Sequence, residues 1–197
     1  MPHVIRKNDY LYVEIDSNLS VLAEQYLSLV LTSAGLKKAG TLDVVVSNTS
    51  RVSSVVHSFQ SHAVELGLSC DVQRVDTRLN FRFARDIDIL SEVVLAFQKQ
   101  DHYYIGDLLG FPRSAREWFC KDDCAGISRD RYLLSLVHEG VEVPLWVAFC
   151  PFVVPPSEVL VNGECAGVGE KYKEFAFSHE TRLALGVRDN FYRHLYY

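Results

Sequence analysis

The chain has 197 residues, 48% of them hydrophobic and 23% charged, with a formal net charge of −5. That length suffices for a domain with a real core, and the composition argues against disorder over most of it. An acidic balance argues against a general nucleic-acid partner, since such binders carry a basic stripe, and no apolar run approaches the ~20 residues that cross a bilayer.

The start, Met1-Pro2-His3-Val4-Ile5-Arg6-Lys7, lacks a signal-peptide apolar core, so the cytoplasm is the expected compartment and no membrane partner is expected. Cys70, Cys120, Cys124, Cys150 and Cys165 are an odd number in a chain of this size and read as thiols, not as a disulfide framework.

Along the chain, Tyr10 to Ile15 alternates as a strand, and Asp16, Ser17 and Asn18 offer caps for a helix through Leu19, Leu22, Tyr26, Leu27, Val30 and Leu31. That helix is expected to stop between Gly35 and Gly40. Leu42 to Val46 suits an interior strand. Asn48-Thr49-Ser50 leads into a helix with Val52, Val55, Val56, Phe59 and Ala63 on its stripe, and Cys70 to Val75 follows as a strand. Strand, helix, strand, helix, strand predicts a compact unit with parallel strands. Leu79, Phe81 and Phe83 alternate with Arg78, Asn80 and Arg82 as a two-faced strand, and Ile87 to Gln98 reads as helix. Ser128 to His138 is helical, Val143 to Phe149 is a strand with Pro144 at its start, and a final helix covers Val168 to Leu183. The aromatic tail (Phe191, Tyr192, Leu195, Tyr196, Tyr197) is expected to pack on the body or on a second subunit.

The segment from Tyr103 to Phe119 stands apart, with two glycines, a proline, four charged side chains and five aromatics. Glycine and proline both weaken a helix interior, so a shaped turn between two helical pieces is expected. Gly106 and Gly110 would let a ligand approach the backbone. Pro112 would open a helix whose free N–H groups, with Arg113 and Arg116, suit an anion. The plain alternative is a helical corner with solvated arginines. Arg78, Arg82 and Arg85 would suit phosphate or carboxylate, or would pair with Asp86 and Asp88 on an exposed strand face. Cys120 and Cys124 have a spacing that occasionally binds metal, but a structural zinc needs four ligands and no second pair is close in sequence, so no metal is assigned. No Walker loop, dinucleotide fingerprint, nucleophile elbow or HExxH motif is present, and no cofactor is named by the sequence.

Ile105-Gly106-Asp107-Leu108-Leu109-Gly110-Phe111-Pro112, followed by Trp118-Phe119, resembles the DUF483 family of archaeal and bacterial proteins. Similar members carry Ile-Gly-x-Leu-Leu-Gly-Tyr-Pro, a cysteine pair, and a later Pro-Cys-Ser element before a C-terminal helix. This chain has Ser114 and Ala115 at the cysteine pair, and Pro156 at the later cysteine. The resemblance implies a shared scaffold, without the thiol arrangement of the family.

The expectation is therefore an α/β fold: a small parallel or mixed sheet with flanking helices and a helical C-terminal half. It is read as a single domain over residues 1–197, with a sub-division into 1–76 and 77–197. Two functions fit. One is a small enzyme, biosynthetic in character, acting on a polar anionic metabolite. Arg82, Gly106, Gly110, Arg113 and Arg116 would bind it, and His102, Tyr104 and Asp107 would move protons. The other is a non-catalytic binding or scaffold subunit that holds a partner protein, or a second copy as a homodimer, through the same turn and the aromatic C-terminus.

Overall fold

The computed structural model describes residues 3–121, 129–152 and 154–196. The chain divides into two compact units, Met1–Gly110 and Phe111–Tyr197. The fold is α/β, with two small antiparallel sheets, flanking helices and a helical C-terminal half.

The first unit opens with a hairpin of β1 (His3–Lys7) and β2 (Tyr10–Glu14), extended by β3 (Ser20–Leu22) in the order β1-β2-β3. Asn8 and Asp9 both have positive φ, at 46° and 70°, and Lys7 faces Tyr10 across them. A two-residue loop with that geometry matches the twist of the strands, and Asn and Asp tolerate it best after glycine. Helix α1 (Ala23–Ser33) follows, largely buried, and Gly35 turns the chain out of it at φ +75°. Strand β4 (Ala39–Val45) leads through a 3-10 turn (Thr49–Arg51), capped by Asn48 Oδ1 on the Ser50 N–H at 3.0 Å, into α2 (Val52–Glu65).

Strands β5 (Ser69–Val75) and β6 (Arg78–Ala84) form a second hairpin, and the sheet order is β4-β6-β5. Here the expected parallel pairing is corrected. Strands β4 and β5 do run in the same direction, as a strand–helix–strand unit demands, but β6 folds back and lies between them. Every pairing in the sheet is therefore antiparallel. The turn at Asp76, with φ 52°, makes this cheap, because a hairpin partner is found locally before a crossover partner.

Being central, β6 is covered on both faces. Leu79, Phe81 and Phe83 are buried, and Phe59 of α2 stacks on Phe81 at 4.1 Å between ring centroids. Helix α3 (Ile87–Lys99) lies against the other face, its start capped by Asp86 on the Asp88 N–H at 2.8 Å. Gln100 in the left-handed region ends it, and Asp101 caps α4 (His102–Leu108) through the Tyr104 N–H at 3.0 Å.

The second unit contains α5 (Arg113–Lys121), α6 (Arg129–His138), a 3-10 segment (Leu145–Phe149), α7 (Pro156–Val159), α8 (Glu164–His179) and α9 (Thr181–Tyr196). The strand expected at Val143 to Phe149 is instead the 3-10 segment. A short run that is apolar all round is equally suited to a strand or a buried helix. Among the described residues of this unit no strand is available to pair with it, so its backbone bonds are local. Trp146, Val147, Ala148 and Phe149 are all buried, and α8 and α9 both pack on them.

The single final helix expected over Val168 to Leu183 is two helices. Glu180 is extended, with φ −152°, and breaks them. The aromatic tail continues α9, with Phe191 and Leu195 buried in the unit, while Tyr197 lies outside the described residues. Ser128, the expected first residue of the helix before His138, also lies outside them.

Candidate functional site

The segment from Tyr103 to Phe119 builds α4, a turn and α5. The turn is shorter than expected. Gly106 lies inside α4 and is buried, so it is a helix residue and not part of the bend. Gly110 follows the end of α4 at φ +76°, a conformation that glycine adopts without strain. Pro112 stands immediately before α5, and its carbonyl accepts the Arg116 N–H at 3.1 Å.

In the first unit, the proposed proton-transfer residues are all on α4. His102 and Tyr104 are exposed, and Asp107 is half-buried. Tyr104 donates its hydroxyl proton to Glu92 Oε2 of α3 at 2.6 Å. That hydrogen bond, with lesser help from partial burial and from the charges of Glu92, Asp107 and Asp101, raises the phenol above its ordinary value. Asp107 accepts from Lys38 Nζ at 3.4 Å. Arg82 is elsewhere. It is buried on β6, donates to Asn80 Oδ1 at 3.2 Å, Asp71 Oδ2 at 3.5 Å and Gln73 Oε1, and its guanidinium lies 4.7 Å from the Phe97 ring centroid. These partners come from the sheet and α3, not from α4. The arginine pairs with Asp71, and not with Asp86 or Asp88 as one reading expected. It is a sheet residue packed under a helix.

In the second unit, Arg113 Nε donates to Glu117 Oε1 at 2.6 Å, one turn along α5, and this bond holds the Glu117 carboxyl below its ordinary value. Arg116 is half-buried on the same helix. The start of α5 carries a carboxylate, but it is the chain's own: the Ser114 N–H donates to Glu164 Oε2 at 3.2 Å. A matching contact holds the start of α8, where the Cys165 N–H donates to Glu158 Oε2 at 2.9 Å. Burial pushes Glu158 up, but hydrogen bonds from Ser114 and Cys165 outweigh it and hold the carboxyl below its usual range. Two helix starts that join in this unit are thus satisfied by two glutamates.

The same cluster buries Cys165, with Ser114 Oγ 3.7 Å from its sulfur, and burial pushes that thiol up to about 12. A thiol so shifted is not a nucleophile near neutral pH. Cys124, half of the candidate metal pair, lies outside the described residues. Among those described, no group of three or more His, Cys, Asp or Glu side chains is placed to hold a metal ion.

Two sets of residues were not legible in the sequence. Glu158 and Glu164 showed no capping pattern, because each caps a helix other than its own. Lys37 falls in the stretch between Gly35 and Gly40 that the sequence marks only as a helix stop, yet its side chain is buried against Ser28 in the first unit. No family model matches the chain, and no curated protein or solved structure matches it either. The fold and site thus define an α/β protein in which, among the described residues, no helix is long and apolar enough to cross a membrane.

Proposed function

We propose that the chain is a non-catalytic binding subunit that holds a partner protein through the outer face of α3 and α4. The observation that carries this reading is Tyr104: its hydroxyl is committed to Glu92, and the residue is still 41% exposed. Tyr103 beside it is exposed, as are Ile87 and Leu95 on α3. Aromatic rings that lose little entropy on docking, set among apolar neighbours and a polar rim, are what protein interfaces use. Tyr196 on α9, in ring contact with Tyr192, offers similar chemistry in the second unit.

The enzyme reading has less support. Arg82, Arg113, Tyr104 and Asp107 are each held by another side chain of the same unit, and the α5 start is held by Glu164. A second copy of the chain is the first partner to test. Sedimentation velocity over a concentration series should give a reversible dimer that Leu95→Asp and Tyr104→Ala each weaken at least tenfold. If the wild type stays monomeric, a photo-crosslinker at position 95 should capture one partner reproducibly, and Tyr104→Ala should abolish the capture. Association that is indifferent to both substitutions would sink the assignment of this face.

A further inference from the structure

Lys37 lies in the connection between α1 and β4, two residues past the left-handed Gly35. Its side chain turns inward. The residue is 5% exposed, and its amine donates to Ser28 Oγ at 2.9 Å. Ser28 and Thr32 are buried and uncharged, and Thr32 Oγ1 already donates to the Ser28 carbonyl at 2.8 Å. The backbone is tight here too, since a Cβ at Gly40 would meet Ser28 Oγ at 2.9 Å and overlap the Phe83 ring.

Among the described residues, no carboxylate pairs with this amine. The elements packed on α1 and β4 carry Glu14, Glu24, Asp43, Arg78 and Arg82, with Arg85 against Gly35, and α2 brings His62, which meets Tyr26 of α1, with Glu65 beside it. Helix α3 adds Asp88, Glu92 and Lys99. None of them perturbs Lys37; burial alone lowers its pKa, to about 7. An ammonium would bring three N–H groups to one acceptor, and the neutral amine keeps that bond while losing the charge. The next residue points the other way: Lys38 reaches through solvent to Asp107 of α4. Two consecutive lysines thus fasten one connection, the first in a dry site and the second in water.

We propose that Lys37 is a proton-coupled latch. Neutral, it pins the α1–β4 connection inside the first unit; on taking up a proton it swings out into water, and Lys38 loses its hold on Asp107. This does not depend on the partner-binding reading. The closed form keeps the amine neutral down to about pH 7, whereas a solvated lysine protonates below 10.5. The opening equilibrium therefore gains about tenfold per pH unit as pH falls through that window, and levels off below about pH 7.

The test follows the lysine Cε resonances of the full chain by NMR across a pH titration, with amide exchange of residues 35–38 measured alongside and corrected for intrinsic rates. The expected result is a Lys37 midpoint near 7, far from the other lysines, and an opening constant that falls about tenfold per pH unit above neutrality. In Lys37→Met that constant should be flat with pH. A midpoint near the ordinary lysine value, or opening that ignores pH in the wild type, overturns the proposal. Should Lys37→Met not fold, Ser28→Ala takes its place. It removes the acceptor that the ammonium needs more than the amine does, so the midpoint should drop further, and an unmoved midpoint counts against the latch.

Discussion

Ser114 donates its backbone N–H to the carboxylate of Glu164, so the first turn of α5 is held by the first turn of α8. Fifty residues of sequence separate the two, and the contact converts an open helix start into an internal joint. Glu158 does the same for Cys165.

Removing either carboxylate leaves an unpaired N–H at a helix start. Glu164→Ala and Glu158→Ala are each expected to cost about 1 kcal/mol, as other lost N-terminal caps do. Urea unfolding at neutral pH measures this, with Glu174→Ala, on the body of α8, as the control that should change little. The Glu158 contribution also depends on pH. Its folded-state pKa is lowered, so its stabilisation is present above the ordinary carboxyl value and is lost as pH falls through the folded one. The gap between wild type and Glu158→Ala should accordingly narrow in acid.

The buried amine of Lys37 carries the opposite sign. Its folded pKa lies below its unfolded value of 10.5, so the unfolded chain binds more protons between about pH 7 and 10.5, and stability rises with pH across that window. Lys37→Met should therefore stabilise the chain by about 2–5 kcal/mol at pH 7 and by much less near pH 10. Denaturant midpoints at the two pH values decide it; a methionine that destabilises equally at both contradicts the burial argument.

Thiol reactivity should separate the cysteines by position. Cys120 is exposed on α5, while Cys150 and Cys165 are buried and Cys165 is pushed up to about 12. Iodoacetamide at pH 8 should label Cys120 at least a hundredfold faster than Cys165, read by peptide mass spectrometry. Comparable rates would mean that the joint between α5 and α8 opens readily.

Gly40 and Gly169 should not accept alanine. A Cβ at Gly40 overlaps the Phe83 ring, and one at Gly169 comes to 2.6 Å of the Trp146 ring and 2.8 Å of its carbonyl oxygen. Each substitution is expected to cost about 1–3 kcal/mol through overpacking. Gly67→Ala meets no atom within 4 Å, and its cost should come from its φ of +69° alone. Thermal unfolding of the three variants ranks the two causes.

The sequence by itself determined the local order of this protein. Alternation placed Leu79, Phe81 and Phe83 on one face of β6, helical spacing placed Phe59 and Ala63 inward on α2, and the glycines and proline of the 106–112 run marked a turn there, because periodicity and φ preference act between near neighbours. What depends on distant partners was decided only in three dimensions. The β6 strand came between β4 and β5, since pairing direction is not written in the alternation of a strand. Leu145–Phe149, within the run expected as a strand, became a 3-10 segment, because its residues are apolar on every side. Arg82 was drawn under α3 by Asp71 and Gln73, Glu164 reached across to Ser114, and Lys37 turned inward on Ser28. For each of these side chains the free energy lies in a contact with a residue remote in sequence, and no local pattern encodes which residue that is.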